Sequence, residues 1–155
     1  MRQIHRAAVI IYILRMRLSG KKILLGVTGG IAAYKSCELL RLLQKEGAEV
    51  RVAMTPAATT FVGPLTFASL SRYPVFLKSG AQDAGSFQHI EYPRWANLYL
   101  VVPCSANALA RFAAGFADEP VSLCFLARTV PAWVAPAMNS AMYLSPAVRA
   151  NMALL

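Results

Sequence analysis

Near the start of the chain, a short apolar run passes directly into a loop of small residues. Residues 22–27 read Lys-Ile-Leu-Leu-Gly-Val, and residues 28–31 read Thr-Gly-Gly-Ile. Leucines then recur at helical spacing until Gly47, which stands where a C-terminal capping glycine is expected. The pattern predicts a buried strand, a tight loop and an amphipathic helix, the unit from which parallel sheets are built.

The rest of the chain alternates in the same way between strand-like runs and helical periods. We therefore predict an α/β domain of three layers, a Rossmann-like parallel sheet with helices on both faces. The predicted strands are 22–27, 49–54, 98–102 and 130–135. The predicted helical segments are 31–45, 56–61, 64–71, 105–114, 120–126 and 146–155. The first helix is expected to turn Leu39, Leu40, Leu42 and Leu43 toward the sheet, and residues 79–86, which contain Gly, Ser and Asp, to form a mobile loop.

The loop at Gly29 and Gly30 predicts a phosphate site. Two glycines let the backbone approach an anion, and the N–H groups at the start of the following helix supply donors. The full G-x-G-x-x-G spacing is absent, and residues 50–55, Val-Arg-Val-Ala-Met-Thr, offer no acidic residue for a nicotinamide-cofactor ribose. Flavin mononucleotide (FMN), whose phosphate is terminal, fits better than a dinucleotide. A tight turn without a ligand is the alternative.

Composition limits the function classes. The 155 residues are 57% hydrophobic and 15% charged, which predicts one domain with much surface buried in the sheet and in subunit contacts. The net charge of +9 includes four arginines from the first twenty residues, and the remainder is dispersed. Because no basic stripe alternates with aromatic residues, we expect no nucleic-acid partner.

The three cysteines, Cys37, Cys104 and Cys124, stand in apolar or helical contexts without metal-ligand spacing. They predict buried thiols in a reducing cytoplasm and no metal site. Cys104 lies beside a predicted ligand loop, where a small core residue remains the simpler interpretation.

The first twenty residues form a basic and apolar extension ahead of the domain at 21–155. The apolar run 7–14 is too short to span a bilayer, and no convincing cleavage site follows it. We expect that Met16 is the natural start and that the chain has no membrane partner. A basic interfacial anchor is the alternative.

Five segments, taken in order, resemble the flavin-containing cysteine decarboxylases. They are residues 26–35, 54–56 with 61–66, 89–91, 103–107 with 115–122, and 136–142, which read Pro-Ala-Met-Asn-Ser-Ala-Met. Within that family the match is to the phosphopantothenoylcysteine decarboxylase domains of bacterial coenzyme A biosynthesis, and it covers residues 20–155.

The resemblance implies an FMN enzyme that decarboxylates 4′-phosphopantothenoylcysteine to 4′-phosphopantetheine. The cysteine moiety would be oxidised to a thioaldehyde-like intermediate, lose CO2 and then be reduced. A neighbouring thiocarbonyl accepts the electrons that the departing carboxylate leaves behind, which explains the need for a redox cofactor.

The resemblance also assigns the site. His89 and Asn139 are the implied catalytic residues, one as a base or carboxylate partner and the other as an amide donor to the substrate carboxylate. The implied substrate-binding residues are Ala137, Met138 and Asn139. The implied cofactor-binding residues are Gly29, Gly30, Ile31, Thr55, Phe61, Ser105, Ala106 and Asn107. For Phe61, plain core packing is an equal alternative.

The sequence departs from the family in two ways. Cys104 and Asn97 replace more usual residues without removing a catalytic group. The family also carries a later flap with a cysteine that protonates the enethiol, and the sequence ends before it, so we expect a C-terminally incomplete domain. A non-catalytic FMN-binding subunit, a peptidyl-cysteine decarboxylase and a flavin prenyltransferase remain alternatives. The family implies a homotrimer, or an oligomer of trimers, with the site between subunits.

Overall fold

Four parallel strands form one sheet in the order β2-β1-β3-β4. The computed structural model describes residues 17–77 and 88–155. The strands are β1 Lys22–Val27, β2 Glu49–Met54, β3 Leu98–Cys104 and β4 Ala132–Pro136. The register pairs Leu25 with Val52 on one side and with Leu100 on the other. The predicted parallel sheet is confirmed.

Helices connect these strands. In the described part of the chain they are α1 Ala33–Lys45, α2 Pro64–Ser71, α3 Gln88–Trp95, α4 Ala106–Ala114, α5 Pro120–Ala127, α6 Ser140–Leu144 and α7 Pro146–Leu154. A 3₁₀ helix, Pro56–Thr60, follows β2. None of the helices in this part is long and apolar enough to cross a membrane.

Helices pack on both faces of the sheet. Leu24 and Leu25 point to opposite faces, and both are fully buried. On the Leu25 face, the strands pack against Ala33 and Leu40 of α1, Ala58 of the 3₁₀ helix and Phe67 of α2. On the Leu24 face, they pack against buried residues of α3, α4, α5 and α7, which include Tyr92, Leu109, Phe125 and Val148. The predicted three layers are thereby confirmed.

Gly26 shows how tightly the second face is packed. A Cβ at this position would lie 2.7 Å from Oη of Tyr99, whose ring is fully buried on the neighbouring strand. The tyrosine hydroxyl donates a hydrogen bond to the carbonyl of Val121 at 2.9 Å. Glycine stands inside β1 because an aromatic ring of β3 fills the space of its side chain.

Several predicted boundaries were wrong by a few residues. The first helix begins at Ala33, two residues after the predicted start, and β3 continues through Cys104. Leu42 is 59% exposed, so its predicted place at the sheet was wrong, and Ala33, Ser36 and Leu40 form the buried side of α1. The helices α3 and α6 were not predicted. The predicted extension up to residue 16 and the predicted loop at 79–86 lie outside the described residues.

The strand order places a topological switch point between β1 and β3. The chain leaves β1 toward β2 on one side of the sheet, and β3 pairs with β1 on the other side. In open α/β sheets, ligands bind outside the carboxyl ends of the strands at such a point. The loops after the four strands therefore define the candidate site.

Candidate functional site

Most of the predicted site residues follow the carboxyl end of a strand. Gly29, Gly30 and Ile31 follow β1, and Thr55 follows β2. Residues 105–107 follow β3, and residues 137–139 follow β4. Because all four strands run parallel, these loops meet at one edge of the sheet.

The loop after β1 leaves several backbone donors free. Helix α1 has Ala32 at its N-cap position, without a side-chain cap and without an acidic residue in the first turn. Within residues 17–77 and 88–155, the N–H groups of residues 29–32 make no hydrogen bond. A helix start of this kind binds anions, since its N–H groups and the positive end of its dipole face the ligand.

The two glycines of this loop differ in their surroundings. A Cβ at Gly29 would lie 2.6 Å from Cβ of Ala57, so this glycine is needed for packing against the 3₁₀ helix. A Cβ at Gly30 would meet nothing within 4 Å, and the φ angle of Gly30 is not positive. Nothing in the described fold requires glycine at position 30, so the space beside this residue is open to a ligand.

Thr55 is the N-cap residue of the 3₁₀ helix. Its Oγ1 accepts a hydrogen bond from the N–H of Ala58 at 3.1 Å, and the side chain is buried. Among the described residues its hydroxyl hydrogen has no acceptor, so this hydroxyl can still donate to a ligand.

The loop after β3 begins with a capped helix. Oγ of Ser105 accepts a hydrogen bond from the N–H of Ala108 at 3.2 Å. Ala106 is half-buried and Asn107 is exposed at the same edge. The N–H of Ser105 also donates a hydrogen bond to Oγ1 of Thr28 at 2.9 Å. Thr28 was not identified as a site residue from the sequence. Its position between a strand and two glycines was the available signal.

The loop after β4 presents an amide. Asn139 is the N-cap residue of α6, and its Oδ1 accepts a hydrogen bond from the N–H of Ala141 at 2.8 Å. The amide NH2 group of this exposed side chain remains available as a donor. Ala137 donates its N–H to the carbonyl of Cys104 at 3.0 Å, which holds this loop against the end of β3. Met138 packs against the core of the Leu24 face.

Phe61 is half exposed, at 50% of its surface, and belongs to neither core cluster. The alternative of plain core packing for this residue was therefore wrong. The ring follows the 3₁₀ helix at the β2 side of the loops.

His89 lies in the first turn of α3 and is half-buried. This helix packs against α5 and β1 and leads directly into β3. No hydrogen bond among the described residues links His89 to Asn139 or to the loop after β1.

The cysteines are free thiols. Burial raises the pKa of Cys104 to about 12 and the pKa of Cys124 to about 12. Both are therefore protonated near neutral pH and unreactive, as predicted for core residues. Cys37 is half-buried, and burial also raises its pKa. Within the described residues, no group of three His, Cys, Asp or Glu side chains is placed to hold a metal ion.

Comparison with known sequences identifies one family and one kind of curated relative. The sequence profile of the family described as Flavoprotein matches residues 12–155. The coenzyme A biosynthesis bifunctional protein CoaBC of Escherichia coli (strain K12) is 48% identical over 143 residues, which are 90% of this chain and 35% of that protein. CoaBC of Bacillus subtilis (strain 168) is 44% identical over 139 residues, 89% of this chain and 34% of that protein. The chain spans about a third of the length of these curated relatives.

Solved structures share the fold. The FMN-dependent cysteine decarboxylase SpaF is 29% identical with a TM-score of 0.81, covering 89% of this chain and 80% of that chain. A cysteine-to-serine mutant of PPC decarboxylase in complex with pantothenoylaminoethenethiol is 30% identical with a TM-score of 0.75. That superposition covers 87% of this chain and 76% of the mutant.

Proposed function

Because this chain belongs to the Flavoprotein family, we propose that it binds FMN and catalyses the decarboxylation of 4′-phosphopantothenoylcysteine to 4′-phosphopantetheine. The observation that carries the proposal is the loop after β1, where an uncapped helix start and the open space at Gly30 stand ready for a phosphate. The identity of 48% to a coenzyme A biosynthesis protein supports the choice of substrate.

The residues at the strand ends fit FMN. The free N–H groups of residues 29–32 would hold the terminal phosphate, and the Thr55 hydroxyl supplies a further donor. Residues 105–107 would border the flavin from the β3 side, and Phe61 would offer an exposed aromatic ring from the β2 side. When bound, FMN supplies a two-electron acceptor that later returns the electrons.

The protein contributes orientation and proton handling. Asn139 would donate its amide N–H groups to the substrate carboxylate, so that the bond to be broken is held in one direction. The Oδ1 bond to Ala141 fixes the amide, because it leaves only the NH2 side turned outward. His89 would take or hold the proton that leaves when the substrate cysteine is oxidised, in the role of a general base.

Exposed apolar side chains support an oligomer. Among the described residues, several large apolar side chains are exposed, among them Ile31 at 80%, Leu65 at 78% and Trp133 at 66%. Contiguous exposed apolar surface marks protein contacts. We propose a homotrimer or an oligomer of trimers in which His89 acts in a neighbouring subunit's site. We also propose a cytoplasmic location without nucleic-acid or membrane partners, in keeping with free thiols.

A cysteine at the end of a peptide is the second candidate substrate. The similarity to SpaF, whose name describes an FMN-dependent cysteine decarboxylase, supports decarboxylation of a cysteine without specifying a phosphopantothenoyl group. The two candidates differ in the phosphopantothenoyl group, so a comparison of substrates distinguishes them.

The proposal is tested by anaerobic mixing of the FMN-loaded chain with 4′-phosphopantothenoylcysteine or with a peptide ending in cysteine. We expect the flavin absorbance to bleach with the first substrate. Bleaching with the peptide alone would select the second candidate, and no bleaching with either would reject both. His89→Asn should retain FMN and slow the bleaching by about 100-fold or more, as loss of a general base does.

A further inference from the structure

Thr28 joins the two loops that flank the topological switch point. It follows β1 directly, and its side chain is 1% exposed. Its Oγ1 donates a hydrogen bond to the carbonyl of Pro103 at 2.8 Å and accepts one from the N–H of Ser105 at 2.9 Å. Its backbone N–H donates to the same Pro103 carbonyl at 3.3 Å. One buried hydroxyl thus connects the end of β1 to the end of β3.

The hydrogen bonds of Thr28 join two segments that are far apart in the sequence and adjacent in the candidate site. Thr28 precedes Gly29, where the phosphate loop begins, and its hydroxyl contacts the segment that opens residues 105–107. Both the donor and the acceptor capacity of the hydroxyl are used, and water does not reach it. A buried hydrogen bond that is fully satisfied fixes the relative position of the groups it joins.

We propose that Thr28 is a positioning residue of the flavin site, which sets the separation between the loop after β1 and the loop after β3. The proposal rests on the proposed function, in which FMN lies between these loops. Thr28 itself contacts no ligand in this account. It acts through Ser105 and through the backbone that leads to Gly29.

Two variants separate the hydroxyl from the shape of the side chain. Thr28→Val keeps the shape and leaves the Ser105 N–H without its acceptor, while the Pro103 carbonyl retains only the longer hydrogen bond from the backbone N–H of Thr28. We expect FMN to bind about tenfold more weakly or worse, since an unpaired buried group costs on the order of a tenfold change or more. Thr28→Ser restores the hydroxyl and should bind FMN within about threefold of the wild-type chain.

A matched control removes a different buried hydroxyl. Ser71 is 3% exposed, and its Oγ makes hydrogen bonds of 3.2 Å with the N–H and the carbonyl of Tyr73, beside the amino end of β2. Ser71→Ala should lower the urea midpoint of unfolding without weakening FMN binding. Weakening equal to that of Thr28→Val would show a general stability effect and would overturn the proposal, as would FMN binding by Thr28→Val at wild-type strength.

Amide hydrogen exchange gives a readout that needs no flavin. The Ser105 N–H should exchange faster in Thr28→Val than in the wild-type chain, Thr28→Ser or Ser71→Ala. Unchanged exchange at Ser105 would overturn the positioning role. A wild-type chain that binds no FMN would reject the proposed function and the flavin part of this proposal, while the exchange result would still decide whether Thr28 holds the loops together.

Discussion

Two helices begin at the same edge of the sheet, and their first turns are built differently. Helix α1 follows β1 with no side-chain cap, and the N–H groups of residues 29–32 have no acceptor within the described residues. Helix α4 follows β3 with a cap, because Oγ of Ser105 accepts from the N–H of Ala108. The comparison shows that the loop after β1 leaves its backbone donors without protein partners in the described residues, whereas the loop after β3 uses its polar side-chain atom to cap a helix.

The first turn of helix α6 combines both features, a side-chain cap and a free donor. Asn139 uses its carbonyl oxygen as a cap and retains its NH2 group. A site assembled from these loops would combine the free N–H groups of residues 29–32, the capped start of α4 and the oriented amide of Asn139. The four predictions below test this division, beginning with the largest expected effect.

Gly30→Leu should abolish FMN binding. The side chain would enter the open space at position 30 and would meet no protein atom near its Cβ, so the fold should persist. Gly63→Leu is the matched control, because Gly63 also precedes an uncapped helix and has nothing within 4 Å of its Cβ position. Equilibrium dialysis with FMN measures both variants, and full occupancy in Gly30→Leu would contradict the assignment of the cradle.

Asn139→Asp should keep FMN and the helix cap but slow substrate-driven bleaching by about 100-fold, the usual effect of losing one oriented donor. The aspartate oxygen still accepts from the N–H of Ala141, so the free energy of unfolding should hardly change. Asn139→Ala should lose the same activity and about 1 kcal/mol of stability in addition. Stopped-flow absorbance and urea unfolding separate the two effects. Bleaching at the wild-type rate in Asn139→Asp would remove the amide from the mechanism.

Gly29→Ala should destabilise the fold by about 1–3 kcal/mol through overpacking. The new Cβ would lie 2.6 Å from Cβ of Ala57, in contrast to the open position at Gly30. Urea unfolding measures the loss. The double variant Gly29→Ala with Ala57→Gly should recover part of it, and no recovery would mean that the clash with Ala57 is not the cause.

Ser105→Ala should cost about 1 kcal/mol of stability through loss of the α4 cap and should leave FMN affinity within about threefold of wild type. Its N–H, which donates to Thr28, is retained. Urea unfolding and FMN titration test both parts. A large loss of FMN binding without a loss of stability would make the Ser105 hydroxyl a ligand contact, and the contrast between α1 and α4 would then be wrong.

The sequence was most informative where one periodicity dominated. The strands β1 and β2 and the helix α2 were predicted at the observed bounds, because apolar runs and a Pro after Gly63 mark them clearly. Helix α3 was missed because Pro93 lies inside it and its hydrophobic pattern is weak. Helix α6 has five residues, too few to show a helical period.

The sequence allowed individual residues of the candidate site to be predicted, but not the hydrogen bonds that join its loops. Gly29 was identified because it follows the end of a predicted strand, whereas Ser105 and Asn139 were assigned through the resemblance to the cysteine decarboxylases. The Thr28 hydroxyl joins residues 75 positions apart, and no local pattern reports such a contact. The exposure of Phe61 likewise depends on which neighbours cover it in the folded chain.

The measurement that tests the central claim most directly is a titration of the flavin-free chain with FMN and with riboflavin. If the uncapped start of α1 binds the phosphate, FMN should bind at least about 100-fold more tightly, since riboflavin lacks the anion that these N–H groups attract. Equal affinity for the two flavins would show that the loop after β1 is not the phosphate site.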